Sequence, residues 1–282
     1  MPAPQASMMK QLARLKFSSN GLKVPKDWQQ PSGDPAGKQY GDAFKPDEKA
    51  VAPDTVAPPL FLPASTNKYH VDTQKKLNQQ FGDFIDGICT AICSAWSTWQ
   101  SSATLVGVVI NGPVAAGGSI PPIPTMPLIM AQGPVTTPQL MKYTKAVATV
   151  FGTTWTSVTS MAKVPGLPWY PAFAAVPSPV APPAPNVPGT WMLICPGGAS
   201  LMSASALSGQ MFGQLGDPTA PYANELFGAI ADGIDKCYTI WASSTMVTNV
   251  LGTGPVPSFA PPYVPVGPVL GGTGNMTPGG FV

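Results

Sequence analysis

Charge is scarce in this sequence, and its scarcity sets the first limits. Charged residues make up 10% of the 282, against about 25% in ordinary soluble proteins. They also crowd toward one end. Fifteen are Lys or Arg and 13 are Asp or Glu, and 20 of these 28 precede residue 91. Only Lys142, Lys145, Lys163, Asp217, Glu225, Asp232, Asp235 and Lys236 follow. A free monomer relies on surface charge for solubility. Nearly 200 residues with eight charges are therefore expected to present a surface covered by partner subunits. The net charge of +2 supplies no electrostatic case for a nucleic-acid partner. Lys10, Arg14, Lys16, Lys23 and Lys26 read as a solvated arm.

Catalytic side chains are equally thin. His70 is the only histidine, so a Ser–His pair would have to use it. The nearest approach to a nucleophile elbow, Gly198-Ala199-Ser200-Leu201-Met202, lacks the closing glycine. No Walker loop occurs, and no Gly-x-Gly-x-x-Gly sits between a strand and a helix. The Gly-Gly pairs at 117–118, 197–198, 271–272 and 279–280 read as turns. Asp83 and Asp86 lie three apart, as do Asp232 and Asp235. Such pairs do acid–base work or hold a cation in some proteins; here they are read as acids answering a helix dipole. The four cysteines, Cys89, Cys93, Cys195 and Cys237, form no zinc pattern and read as small buried hydrophobes in a reducing cytoplasm. The expectation is no enzyme: no catalytic residue, no cofactor-binding residue and no metal ligand. No signal peptide is visible.

Gly87–Asn111 runs 25 residues without charge, long enough to span a bilayer. It is rich in Ser and Thr, however, and lacks basic anchors on both flanks. A membrane-associated or pore-forming protein, marked by lipid-accessible Trp96 and Trp99, is the alternative. A monomer presenting its proline run as a ligand is a third reading.

What the chain does contain is apolar and stiff. Hydrophobic residues are 44%, with seven Trp, and Pro and Gly number 36 and 29. The stretch around which the rest is organised is Phe81 to Ile110. Phe81, Ile85, Ile88, Ile92, Trp96, Trp99, Ala103 and Val106 fall at helical spacing, and the helix is expected to stop near Asn111-Gly112-Pro113. Its other face carries Thr90, Ser94, Ser97 and Ser101 where a water-facing helix carries Lys, Glu or Arg. Small hydroxyls suit close contact with protein. A second helix is expected over 139–163, a short strand over Thr190–Cys195, a short helix over Ala199–Gly213 and a third long helix over 221–250. Residues 112–138 and the run Val176 to Pro188 read as proline straps.

The expected organisation is four segments. Residues 1–66 form an extended Pro-rich arm, with a short amphipathic piece at Ser7–Phe17 whose face is Met8, Leu12, Leu15 and Met9. Residues 67–137 hold a helix and strap, 138–220 the second helix, strap and short helix, and 221–282 a helix and Pro/Gly tail. Phe81-Gly82-x-x-x-Asp86-Gly87-Ile88 recurs as Phe227-Gly228-x-x-x-Asp232-Gly233-Ile234, and Gly112-Pro113-Val114 lines up with Gly254-Pro255-Val256. The expected fold is therefore mainly α, with repeated helix-plus-proline-strap units. Gly87 and Gly233, costly inside helices, are expected where a neighbouring backbone approaches closely.

The Pro-rich arm, the uncharged helices and the runs Gly112-Pro113-Val114-Ala115-Ala116-Gly117-Gly118 and Gly267-Pro268-Val269-Leu270-Gly271-Gly272 resemble the particle-structural proteins of tailed phages and phage-derived contractile injection systems. The resemblance covers roughly 80–282. It implies a virion, tail or baseplate component in an extracellular particle assembled in the cytoplasm. Its partners would be other subunits, copies of itself included, with no specific nucleic acid and no membrane. No functional residue is carried over by it.

Overall fold

The computed structural model describes residues 2–20, 64–260 and 264–282. The chain forms two compact units. One comprises Met1–Phe17 and Ile85–Val282, and the other Ser18–Phe84. Helix α1 (Ala6–Ser19) opens the chain, and α2 (Ala64–Ser102) follows. The described part of the Ser18–Phe84 unit consists of the last turn of α1 and the first half of α2, where Gln79 donates to Asp83 at 2.7 Å. The apolar beads Leu22, Trp28, Tyr40, Phe44, Leu60, Phe61 and Leu62 lie outside the described residues.

The larger unit mixes helices with a six-stranded antiparallel sheet. This corrects the expectation of a mainly α chain built from repeated helix-and-strap units. Helix α2 stops at Ser102, and Val106–Asn111 is strand β1. The run Val-Gly-Val-Val-Ile is β-branched and suits a pleated surface. Gly112-Pro113 ends no helix. It forms the two-residue turn between β1 and β2 (Val114–Ser119), with Asn111 paired to Val114. Gly112 takes φ of 61°, as the first central position of a II′ hairpin turn requires.

Helices α3 (Met126–Gln132) and α4 (Pro138–Met161) come next. Proline does not forbid α3, because Pro127 sits in its first turn, where no N–H is needed. Thr137 caps α4 by accepting from the Leu140 N–H at 3.1 Å. Strand β3 (Val164–Pro168) and a 3-10 turn, Pro171–Ala174, lead to β4 (Val180–Ala184) and β5 (Gly189–Thr190). The strand expected over Thr190–Cys195 is limited to that two-residue bridge; Trp191–Ile194 is a helical turn, α5. Met202-Ser203 divides the helix expected over 199–213 into α6 (Gly198–Leu201) and α7 (Ala204–Leu215). Helix α8 (Ala223–Ser244), β6 (Met246–Val247), β7 (Val250–Pro255), β8 (Phe259–Ala260), β9 (Val264–Pro265) and β10 (Gly272–Met276) complete the chain. The sheet order is β3-β2-β1-β10-β7-β4. Sheet centre and hairpin thus join residues 106–119 to residues 250–276, far apart in sequence.

The helical stripes hold in their central parts, but Val106 and Leu251 fall on strands, Met161 is 42% exposed, and the helix expected over 221–250 ends at Ser244. Ile85, Ile88, Ile92, Trp96, Trp99 and Ala103 are fully buried, as are Phe227, Ile230 and Ile234 on α8. They meet in one aromatic core. Trp96, Trp99, Trp155, Trp191 and Trp241 lie within ring-to-ring reach, with Trp96–Trp155 centroids 4.7 Å apart and Trp99–Trp155 at 4.8 Å. Phe281 stacks on Trp99 at 5.5 Å. Beneath the sheet, Val108, Ile110, Ala115, Ala181 and Val250 are buried. The Tyr170 ring lies over Gly252 and Gly274, whose missing side chains make its room, and its hydroxyl donates to the Val250 carbonyl at 2.7 Å.

Gly87 and Gly233 both mark close approaches, of a neighbouring backbone at Gly233 and of a side-chain ring at Gly87. A Cβ on Gly87 would stand 3.3 Å from the Pro134 ring, and one on Gly233 would stand 3.2 Å from the Met9 carbonyl oxygen. Helix α1 is thus a packed helix where the short amphipathic piece Ser7–Phe17 was expected, and the arm expected over 21–63 lies outside the described residues. The helix's buried side chains are Met9, Ala13 and Phe17. Of the predicted face only Met9 is fully buried: Leu15 is 60% exposed, and Met8 and Leu12 are only partly covered.

Candidate interaction surface

Among the described residues, Cys89, Cys93 and Cys237 lie near one another in the core, and the serine and carboxylate candidates are dispersed. Asp86 lies mid-helix on α2 and accepts both Arg14 Nε at 2.7 Å and Nη2 at 2.9 Å. Asp232 pairs with Lys236 at 2.7 Å. Asp235 accepts from the Ala204 N–H at 3.0 Å and so serves the start of α7. Asp86 and Asp232 therefore answer cations, Asp235 a neighbouring helix and Asp83 the Gln79 amide of its own helix; none of them lies in the first turn of its helix. Ser200 donates to the Gly197 carbonyl at 2.8 Å. His70 lies on α2 in a stretch whose side chains are outside the described residues. Among the described residues, no three His, Cys, Asp or Glu side chains converge on a metal position.

All four cysteines are buried free thiols. Burial pushes Cys195 and Cys237 up to about 11 and Cys93 up to about 12, and it raises Cys89 as well. The folded state therefore favours the neutral thiol. Its contribution is fully present below the ordinary thiol value of about 8.5 and is lost as pH rises from there toward 11–12. The denaturant midpoint is expected to fall across that window and to show no pH dependence from these thiols between pH 6 and 8. At pH 8 the native protein is expected to take up no iodoacetamide, and the unfolded chain four equivalents. Alkylation of the folded protein at pH 8 would contradict the burial.

What remains is surface. On the sheet's outer side, Pro165, Ala116, Val109, Thr273 and Thr253 form one cross-strand row through successive pairings. At about 4.8 Å between strands, the row runs roughly 19 Å. Leu251 pairs with Asn275 beside it. Among the described residues this face carries no charged side chain. Val109 is 47% and Leu251 42% exposed. The edges are shut. Strand β3 carries Pro165 and Pro168, and β4 carries Pro182 and Pro183. Proline donates nothing to a ladder, so both edges resist strand addition. Of the proline straps in the sequence reading, Val176–Pro188 thus contains the guarded edge β4, whereas 112–138 holds the inner strand β2 and helix α3.

The exposed polar groups of these surfaces turn inward. On α2, Thr90 donates to the Asp86 carbonyl at 2.6 Å and Thr98 to that of Ser94 at 3.0 Å. On α4, Thr153, Ser157 and Ser160 donate to carbonyls three or four residues back. Ser243 and Ser244 do so on α8. On the sheet, Asn275 Oδ1 accepts from the Gly107 N–H at 2.9 Å, Asn111 Oδ1 accepts from the Gly271 N–H at 2.9 Å, and Thr253 donates to the Ala181 carbonyl at 2.6 Å. These donors and acceptors have partners before any neighbour arrives. Covering them with protein forfeits little hydrogen bonding to water, whereas an unpartnered polar group costs about 1–3 kcal/mol when buried. The serine and threonine face was legible from the absence of charge. The sheet face was missed, because β1 was read as the end of a helix and the other strands as Pro/Gly-rich connections and tail.

Two markers bear on a bilayer. Trp96 and Trp99 are fully buried in the core, not lipid-accessible. No helix among the described residues is long and apolar enough to cross a membrane. The chain matches no protein-family model, and neither curated proteins nor solved structures yield a match.

Proposed function

We propose that the chain is a non-enzymatic structural subunit of a large multi-subunit particle. Its partners are other subunits, copies of itself among them. One observation carries this reading: the outer face of the sheet is uncharged among the described residues, and Asn111, Thr253 and Asn275 beside it are already hydrogen-bonded within the chain. Such faces desolvate at small cost, and the exposed Val109, Leu251, Met192 and Leu193 supply apolar area to a partner. The mechanism is passive. Rigid sheet and helix faces dock, while the proline edges prevent runaway strand pairing. The likeness of the Gly-Pro-Val and Gly-Gly runs to proteins of tailed phages and contractile injection systems makes a virion, tail or baseplate part the preferred setting, in an extracellular particle assembled in the cytoplasm.

Light scattering of the purified native protein without detergent tests this. A mass of many subunits is expected. A clean monomer of 29.2 kDa would overturn the reading. Val109→Asp together with Leu251→Asp is expected to abolish assembly while leaving stability within about 0.5 kcal/mol, as surface changes ordinarily do. Intact assembly of that variant would remove the sheet face from the interface.

A further inference from the structure

The six-stranded sheet has one covered face and one open face. Ile110, Ala115, Ala181 and Val250 are buried on the first. Alternate positions point outward, where Val109 and Leu251 are joined by Val114, 38% exposed, and Val180, 57% exposed. None of the six strands contains a charged residue. The strands are five or six residues long. At about 4.8 Å between strands and about 3.4 Å per residue, the open face measures about 25 Å by 20 Å, or about 500 Å². An uncharged, largely apolar patch of that size marks a contact surface.

The face fits a copy of itself. Pro165 and Pro168 on β3 and Pro182 and Pro183 on β4 close both edges to strand addition, so a partner sheet has to stack. A charged partner finds no complementary charge here. A two-fold interface sets the same patch against itself, and any charge near its axis would meet its own like at a cost. This face has none to meet. The shapes agree as well. A second copy brings a sheet of the same twist, and twisted sheets stack about 30° apart in strand direction with about 10 Å between them. Hollows and knobs share the face: an added Cβ on Gly107 would meet nothing within 4 Å, and Val109 stands two residues along the same strand. Two such faces together remove about 1,000 Å² from water, the size a specific interface has to reach.

We propose that the open sheet face of one copy stacks on the same face of a second copy, forming a two-fold β-sandwich between chains. The inference rests on the reading of the chain as a particle subunit, and it names one contact of that particle. The centre of the face lies between β1 and β10, at the paired residues Val109 and Thr273. When the two faces overlap fully, the two-fold axis runs between the sheets and parallel to them. Whatever its direction in that plane, the centre of each face meets its own mate. Residue 273 of one copy therefore faces residue 273 of the other.

That self-contact supplies the test. Thr273→Lys and Thr273→Glu are made in separate, differently tagged full-length chains. Thr273 is exposed, so an unchanged denaturant midpoint is expected for both. Each variant alone sets like charges against each other and is expected to associate at least about tenfold more weakly than the unsubstituted chain. An equimolar mixture sets Lys against Glu and is expected to restore association, in pairs that carry both tags. Neither variant weakened, or a mixture that stays apart, would overturn the stacking. One charge blocking association while the other does not would overturn it too, and would point to a different protein on this face. Light scattering of the unsubstituted chain separates this failure from that of the particle. Many subunits without rescue in the mixture removes only the stacking. A mass that stops at two chains, with rescue, keeps the stacking and removes the particle. A monomer removes both.

Discussion

Trp241→Ala is expected to destabilise the protein by about 4–5 kcal/mol, the upper range for deleting a buried aromatic ring. Trp241 is 1% exposed. Its ring centroid lies 5.3 Å from Trp96, 5.7 Å from Trp155 and 5.1 Å from Trp191. It is thus a shared neighbour of side chains from α2, α4 and α5, and none of them can collapse into the space without leaving its own partner. A polar cost adds to the cavity. The indole N–H donates to Gln100 Oε1 at 2.9 Å, and Gln100 Nε2 donates to the Phe281 carbonyl at 2.8 Å. Removing the indole takes that donor away from the buried Gln100 amide oxygen. Trp241→Phe isolates that part and should cost about 2 kcal/mol. Guanidinium denaturation followed by tryptophan fluorescence measures both. A loss below about 1 kcal/mol for the alanine variant would mean that the core repacks freely, contrary to the interlocked rings.

Glycine to alanine is expected to have opposite signs at two positions. At Gly254 on β7, an added Cβ would run into the backbone of Gly272 and come within 2.6 Å of Val269 Cγ1. Backbone cannot swing aside as a side chain can, so Gly254→Ala should cost about 2–3 kcal/mol by overpacking. It should loosen the β7–β10 pairing, read as faster amide exchange at Gly252 and Thr253. At Gly209, inside α7, nothing lies within 4 Å of an added Cβ. There the same substitution should stabilise by about 0.5–1 kcal/mol through helix propensity and reduced freedom of the unfolded chain. Equal effects at the two sites would show that chain entropy, and not packing, governs the sheet's glycines.

That sheet also explains which parts of the fold could be read from residues alone. The helices were legible because Ile85, Ile88, Ile92, Trp96 and Trp99 repeat at the helical period, and burial follows that period. The strands were hidden by their own solutions to packing. Strand β10 reads Gly-Thr-Gly-Asn-Met, with glycine on the inner face where Tyr170 needs room. Alternation of large apolar residues, the usual mark of a strand, is therefore missing. The edge strands carry proline, which argues against a strand until the edge is known. The buried stripe of helix α1 was misread because it includes Ala13, chosen for smallness against Gly233, while the bulkier Leu15 faces outward. The candidate surface divides the same way. Its helical part showed as missing charge, a local property. Its sheet part depends on pairing Val109 with Thr273, which no local pattern encodes.

The place of β10 has a consequence for synthesis. Strand β1 pairs with β2 on one side and with β10 on the other, and roughly 160 residues of chain separate β1 from β10. At about 5–20 residues per second on the ribosome, the inner edge of β1 waits roughly 10–30 s for its partner. Unlike β3 and β4, β1 has no proline to guard it, since in the finished sheet it is never an edge. A nascent chain therefore exposes Val106–Asn111 as an open template for most of its own translation, and a covering factor during that interval would protect the sheet more than any change to its finished edges.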